Sequence, residues 1–82
     1  MSAATRATKG ARKGLDYSRT AIAKDPSYAL GYAGVAESFH IVRITGALPR
    51  REAFAKQKEA TLRVLELDPS LAEAHVSLAH LR

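Results

Sequence analysis

The sequence predicts an all-α fold of about four helices, in antiparallel pairs stacked as an α-α superhelix, the architecture of a helical repeat solenoid. Three observations predict it. An Asp-Pro-Ser junction occurs twice at a fixed offset, apolar residues recur at steps of three and four around each junction, and a Gly and a Pro punctuate the stretch between them.

The repeat is the strongest of these. Ala21-Ile22-Ala23-Lys24-Asp25-Pro26-Ser27-Tyr28-Ala29 aligns with Val64-Leu65-Glu66-Leu67-Asp68-Pro69-Ser70-Leu71-Ala72, which puts Pro26 and Pro69 43 residues apart. At the same offset Tyr32 falls on His75, Val35 on Leu78 and Ala36 on Ala79, while Lys13 falls on Lys56 and Asp16 on Glu59. Residue class is kept at most of these positions.

Each element follows from local chemistry. A basic flexible tail is expected over 1–7 and a first helix over 8–24, ended because Pro26 lacks an amide hydrogen and biases Asp25 away from helical geometry. Asp25 then reads as the N-cap of a second helix over 27–44, with Pro26 in its first turn, where a missing donor is harmless. Tyr28, Tyr32, Val35, Ala36 and Phe39 mark one buried stripe of that helix. Gly46 ends it, and Pro49 opens a third helix over 49–67 whose apolar side is Phe54, Thr61, Leu62, Leu65 and Leu67, interrupted by Gln57 and Lys58. Asp68 and Pro69 repeat the corner and start a fourth helix over 70–81.

Composition bounds what such a chain can do. With 82 residues and no Cys it is at most one small domain without a disulfide or thiolate zinc staple, and the absence of Cys suits a reducing, cytoplasmic setting. No apolar run approaches the ~20 residues that span a bilayer, so no membrane partner is expected. Arg6, Lys9, Arg12 and Lys13 lie among Ser, Thr and Ala with no acid, a composition shared with organellar transit peptides, although a basic helix start with a frayed end is the better account, because a helical pattern already begins near Thr8. The net charge of +5 is concentrated early, since six of thirteen Lys and Arg precede Asp25 and only Asp16 opposes them.

These residues resemble the tetratricopeptide repeat family over nearly all of Thr8 to Arg82. Leu65-Glu66-Leu67-Asp68-Pro69 is similar to the typical end of such a repeat, as is Ala21-Ile22-Ala23-Lys24-Asp25-Pro26. Tyr32 stands where the family favours an aromatic, Val35-Ala36 matches its Leu-Gly pair and Phe39 its Tyr. The 43-residue interval exceeds the family's unit of about 34, and the excess falls in the turn around Thr45 to Arg51. Gly14 and Gln57 replace a small Ala, and His75 replaces an aromatic. The stretch from Leu48 to Phe54, with that from Leu65 to His75, resembles bacterial multidomain proteins that join such repeats to regulatory domains. In the family's phase the chain holds one whole helix pair between two half pairs. Because repeats bury their apolar faces on one another, a fragment, a truncated reading frame, or a chain that completes itself by association is expected.

The resemblance implies a non-catalytic scaffold that binds a peptide or partner protein in a concave groove. Carried over, the groove residues are Leu30, Ala33, Glu37, His40 and Ile41 on one helix, with Glu73, Val76 and His80 on the next. One subset of the family clamps the C-terminal carboxylate of chaperones with Lys, Arg and Asn. With Ala33, Glu37, Val76 and His80 at the corresponding places there is no cationic cradle, so a mixed apolar or weakly basic ligand fits better.

Other chemistries find less support. No nucleophile and base stand at helical contact spacing with an orienting third group, and there is no Gly-rich phosphate loop, so neither an enzyme nor a cofactor is expected. Glu37 and His40 share a helical face, but His75 and His80 are five apart and cannot easily share an ion, so no metal is expected either. His75 reads as a partly buried core residue, and His40 and His80 as surface residues. The alternative function is a basic nucleic-acid-associated helical protein, motivated by Arg6, Lys9, Arg12, Lys13 and Arg19; a single nearby aromatic, Tyr17, argues against it. Self-association through uncovered end helices is a third expectation.

Overall fold

Among the described residues, 3–81 of a computed structural model, four helices form and no strand does. They are α1 (Ala3–Lys24), α2 (Ala29–Thr45), α3 (Arg50–Leu67) and α4 (Ala72–His80). α1 begins inside the stretch expected to be a tail, while Met1, Ser2 and Arg82 lie outside the described residues.

The two corners differ from expectation in how the aspartates act. Asp25 Oδ1 accepts from the Ser27 amide at 3.1 Å and the Ser27 hydroxyl at 2.8 Å, and Asp68 Oδ1 accepts from the Ser70 amide at 3.2 Å and hydroxyl at 2.7 Å. Each carboxylate therefore closes a short turn over its proline instead of capping a helix. The next helices start later than expected, with extended Tyr28 and Leu71 at the N-cap positions and no side-chain cap. The repeat survives in the hydrogen bonds that lock these turns. The Tyr32 hydroxyl donates to the Pro26 carbonyl at 3.1 Å, and 43 residues on His75 Nε2 meets the Pro69 carbonyl at the same 3.1 Å. Since a carbonyl only accepts, His75 Nε2 carries a proton. His75 is exposed, a correction to its expected place in the core.

The C-terminus of α2 follows the sequence closely. Gly46 adopts φ 75°, ψ 15°, and the Ala47 amide reaches the Val42 carbonyl at 3.1 Å while the Gly46 amide reaches that of Arg43 at 3.3 Å. This paired closure needs the left-handed conformation that glycine takes without strain. Pro49 is the N-cap of α3, and Leu48 before it packs on the Val42–Ala53 cluster four helical positions in, fixing the angle at which the chain enters the helix.

α2 is the centre of the molecule, and α1, α3 and α4 all pack on it. α1 runs antiparallel to it in one register: Thr8 bonds Thr45, Ala11 clusters with Val42, Gly14 faces Ser38, Ser18 faces Gly34 and Ile22 faces Gly31. The approach is close. A Cβ on Gly31 would come within 2.8 Å of Ile22 Cγ1, and one on Gly34 would collide with Ser18 Oγ. α3 also runs antiparallel to α2, with Ala53 beside Val42 and Val64 beside Ala33, while α4 runs parallel to α2 and sets Ala74 against Ala33 and Val64.

Two expected stripes are revised by this packing. On α2, Ala36 and Phe39 are buried, Tyr32 and Val35 half-buried and Tyr28 exposed, because the turn at Ser27 carries Tyr28 off the helix. On α3 the buried face is Ala53, Gln57, Ala60, Thr61 and Val64, and Leu62 is 47% exposed. The face that α2 selects is the one of small volume, not the one richest in leucine. Gln57 is wholly buried there, and neither its amide nitrogen nor its oxygen has a hydrogen-bond partner. A buried unpaired polar group costs about 1–3 kcal/mol, and leucine has similar volume. Gln57→Leu is expected to raise unfolding stability by about 1–2 kcal/mol in urea titration followed by circular dichroism; an unchanged or lowered midpoint would contradict the account of this side chain.

Candidate functional site

The side of α2 that faces neither Phe39 nor α3 is flanked by α1 and α4, which do not touch each other. Two grooves result. The first, about 320 Å³, lies between α2 and α4 and is lined by Leu30, Ala33, Gly34, Glu37, Glu73, Val76, Ser77 and His80. The second, about 340 Å³, lies between α2 and α1 and is lined mostly by small residues, among them Ala7, Gly10, Ala11, Gly14 and Ser38, with Tyr17 and Ile41. Gly34 and Glu37 belong to both, so the two form one trough.

The structure thus brings together six of the residues singled out from sequence, namely Leu30, Ala33, Glu37, Glu73, Val76 and His80. Leu30 and Val76 are apolar yet 44% and 54% exposed, and Glu37 and Glu73 are exposed; Ala33 is buried in the floor. Ile41 stands apart from them in the α1 groove, half-buried against Ala11, Val42 and Ala53, so it serves packing as much as surface.

His40 and His80 are not the separate surface residues the sequence suggests. Their rings stack at 3.9 Å between centroids and 6° from parallel, joining the later turns of α2 and the end of α4. Arg43 completes the junction. Its Nη2 donates to the His80 carbonyl at 2.7 Å and lies 3.2 Å from His40 Nδ1, and its guanidinium carbon is 5.5 Å from the centre of the Phe54 ring. A cation on the last carbonyls of α4 suits the negative end of that helix. Because arginine has no acceptor, His40 Nδ1 must accept, which fixes the neutral ring with its proton on Nε2. Parallel stacked rings do not converge their nitrogens on one point, and the described residues hold no group of three or more His, Asp or Glu placed for a metal ion.

A third groove, about 600 Å³, lies on the opposite face between α1 and α3, above Tyr32, Val35 and Phe39. The sequence treats these three as sealed core, and the groove exists because α1 and α3 do not meet. It is larger, but the protein's own cations cover it. Lys56 Nζ lies 5.9 Å from the centre of Phe39 and the Arg63 guanidinium 5.6 Å from that of Tyr32, an attractive arrangement of charge over ring face. Arg63 also pairs with Glu66 at 2.8 Å, and hydrogen bonds to Glu66 and then Tyr32 push its pKa further up. Among the described residues, the trough on the other face has no such internal occupant.

Comparison of the chain with protein-family models, curated proteins and solved structures gives no match. No helix among the described residues is long and apolar enough to cross a membrane.

His40 gives the site a pH dependence. Partial burial, then His80 and Arg43, lower its pKa from 6.5, with Glu37 opposing. Above 6.5 the ring is neutral whether the chain is folded or not, and stability is at its full value. As pH falls below 6.5 the unfolded chain takes up a proton that the folded α2–α4 junction resists, so stability declines toward the lowered value. Urea midpoints should therefore fall between about pH 7 and about pH 5, and His40→Gln should flatten the trend; an equally steep trend in that variant would rule His40 out as its source.

Proposed function

We propose that this chain is a non-catalytic scaffold of tetratricopeptide type, which holds a peptide or an extended segment of a partner protein along the trough between α1, α2 and α4. The observation that carries the reading is the open exposure of Leu30 and Val76 in a groove that none of the described residues fills. Apolar side chains facing each other across a concave surface gain by covering one another with a ligand. The matched corners at Asp25-Pro26-Ser27 and Asp68-Pro69-Ser70, with Tyr32 and His75 reaching back to equivalent carbonyls, support the repeat reading. A cytoplasmic setting accompanies it, consistent with a chain that uses no Cys.

One observation favours a second reading. Arg6, Lys9, Lys13 and Tyr17 recur at three and four residues on α1, all exposed, with Tyr17 80% so. A basic stripe ending in an open aromatic is a means of holding single-stranded nucleic acid. It would bind with a steep inverse dependence on salt.

Peptide display against the full chain, followed by nuclear magnetic resonance titration with a selected peptide, tests the first reading. Amide shifts are expected around Leu30, Glu37, Val76 and His80, and Leu30→Gln with Val76→Gln should weaken binding about tenfold or more while leaving helicity intact. Shifts confined to Tyr32, Phe39 and Arg63 on the opposite face would refute it. Binding of an oligonucleotide that is lost on raising salt, with no peptide selected, would favour the second reading.

A further inference from the structure

The trough differs in charge from the rest of the molecule. The chain carries thirteen Lys and Arg against eight Asp and Glu, yet among the described residues no Lys or Arg lines either groove on the α1, α2 and α4 face. Its acidic groups are Glu37, which borders both grooves, and Glu73 opposite it on α4, both exposed and neither ion-paired to a Lys or Arg among the described residues. Arg43 is turned to the His80 carbonyl, Arg19, Lys56 and Arg63 line the groove of the opposite face, and Arg6, Lys9 and Lys13 are exposed on α1 without lining either groove.

From this segregation we infer that the trough selects a cationic, apolar segment, in which Lys or Arg side chains lie between Glu37 and Glu73 while a neighbouring apolar side chain packs on Leu30 and Val76. The inference rests on the peptide-binding reading and adds the chemistry of the ligand. Two carboxylates in the trough of a chain of net charge +5 attract a cation and repel an acidic segment, so they act on partner choice more than on affinity. Exposed ion pairs are individually weak, and the apolar contact supplies most of the binding. Dimensions agree with a short ligand. Leu30 to Ile41 spans about 16 Å of α2 at about 1.5 Å per residue, which an extended chain covers in about five residues.

The test uses the full chain and three labelled seven-residue peptides that alternate leucine with lysine, glutamine or glutamate, read by fluorescence anisotropy. The lysine peptide is expected to bind about fivefold tighter than the glutamine peptide, and the glutamate peptide more weakly than either. Glu37→Gln with Glu73→Gln should erase the preference for lysine over glutamine while helicity by circular dichroism is kept, since both side chains are exposed. Equal binding of the lysine and glutamine peptides, both lost in Leu30→Gln with Val76→Gln, would overturn the charge selection and leave the groove reading standing. No binding of any peptide would remove both. Sedimentation without peptide supplies a last outcome: self-association abolished by the two glutamine substitutions would make a second copy of the chain the occupant and overturn the proposal.

Discussion

The close approach of α1 to α2 is the contact on which the rest of the molecule depends. Gly31, Gly34 and Ser38 on α2 meet Ile22, Ser18 and Gly14 on α1 in a register held from Thr8 to Ile22, with no room for a Cβ at the two glycines of α2. A helix that admits one neighbour so closely, and places Ala33 and Ala36 toward others, can be surrounded on three sides within a chain of this size. Small side chains contribute little apolar area each, so such a core is held by many close contacts more than by large buried groups. The trough is a by-product of the same geometry, because α1 and α4 flank α2 without meeting.

Much of this was legible in the sequence wherever a residue had a single physical option. Pro26 and Pro69 cannot donate a hydrogen bond, so the helices before them end as expected, and Gly46 takes a backbone conformation that other residues adopt at a cost. The aspartates had two options. A carboxylate before Pro-Ser can cap the coming helix or bond the serine two residues on, and local sequence does not decide between them. The face of α3 departs from the sequence pattern in part, for a tertiary reason: Thr61 is buried as expected, but the distance to α2 selects Ala53 and Ala60 over the bulkier Leu62.

The candidate site was legible to a similar degree and for similar reasons. Leu30, Glu37, Glu73, Val76 and His80 are named by the resemblance to tetratricopeptide repeats, and on α2 the steps of three and four, offset from the core stripe, support the transfer. The His40–His80 stack could not, since it depends on how far along α2 the last helix docks, and no local pattern encodes that register. The junction is nevertheless specific in its chemistry. It requires a neutral imidazole facing an arginine, an arrangement that a lysine or a second carboxylate at position 43 would not reproduce.

The lack of contact between α1 and α4 has a further meaning for how the molecule moves. α1 leans on α2 alone and α4 on α2 and α3, so one end of the chain can open without the other registering it, and local openings at the two ends are independent events. A segment lying along the whole trough would touch both outer helices at once. It would then be the element that ties the two ends into one cooperative unit, and tightness at either end would be felt at the other only while that segment is in place.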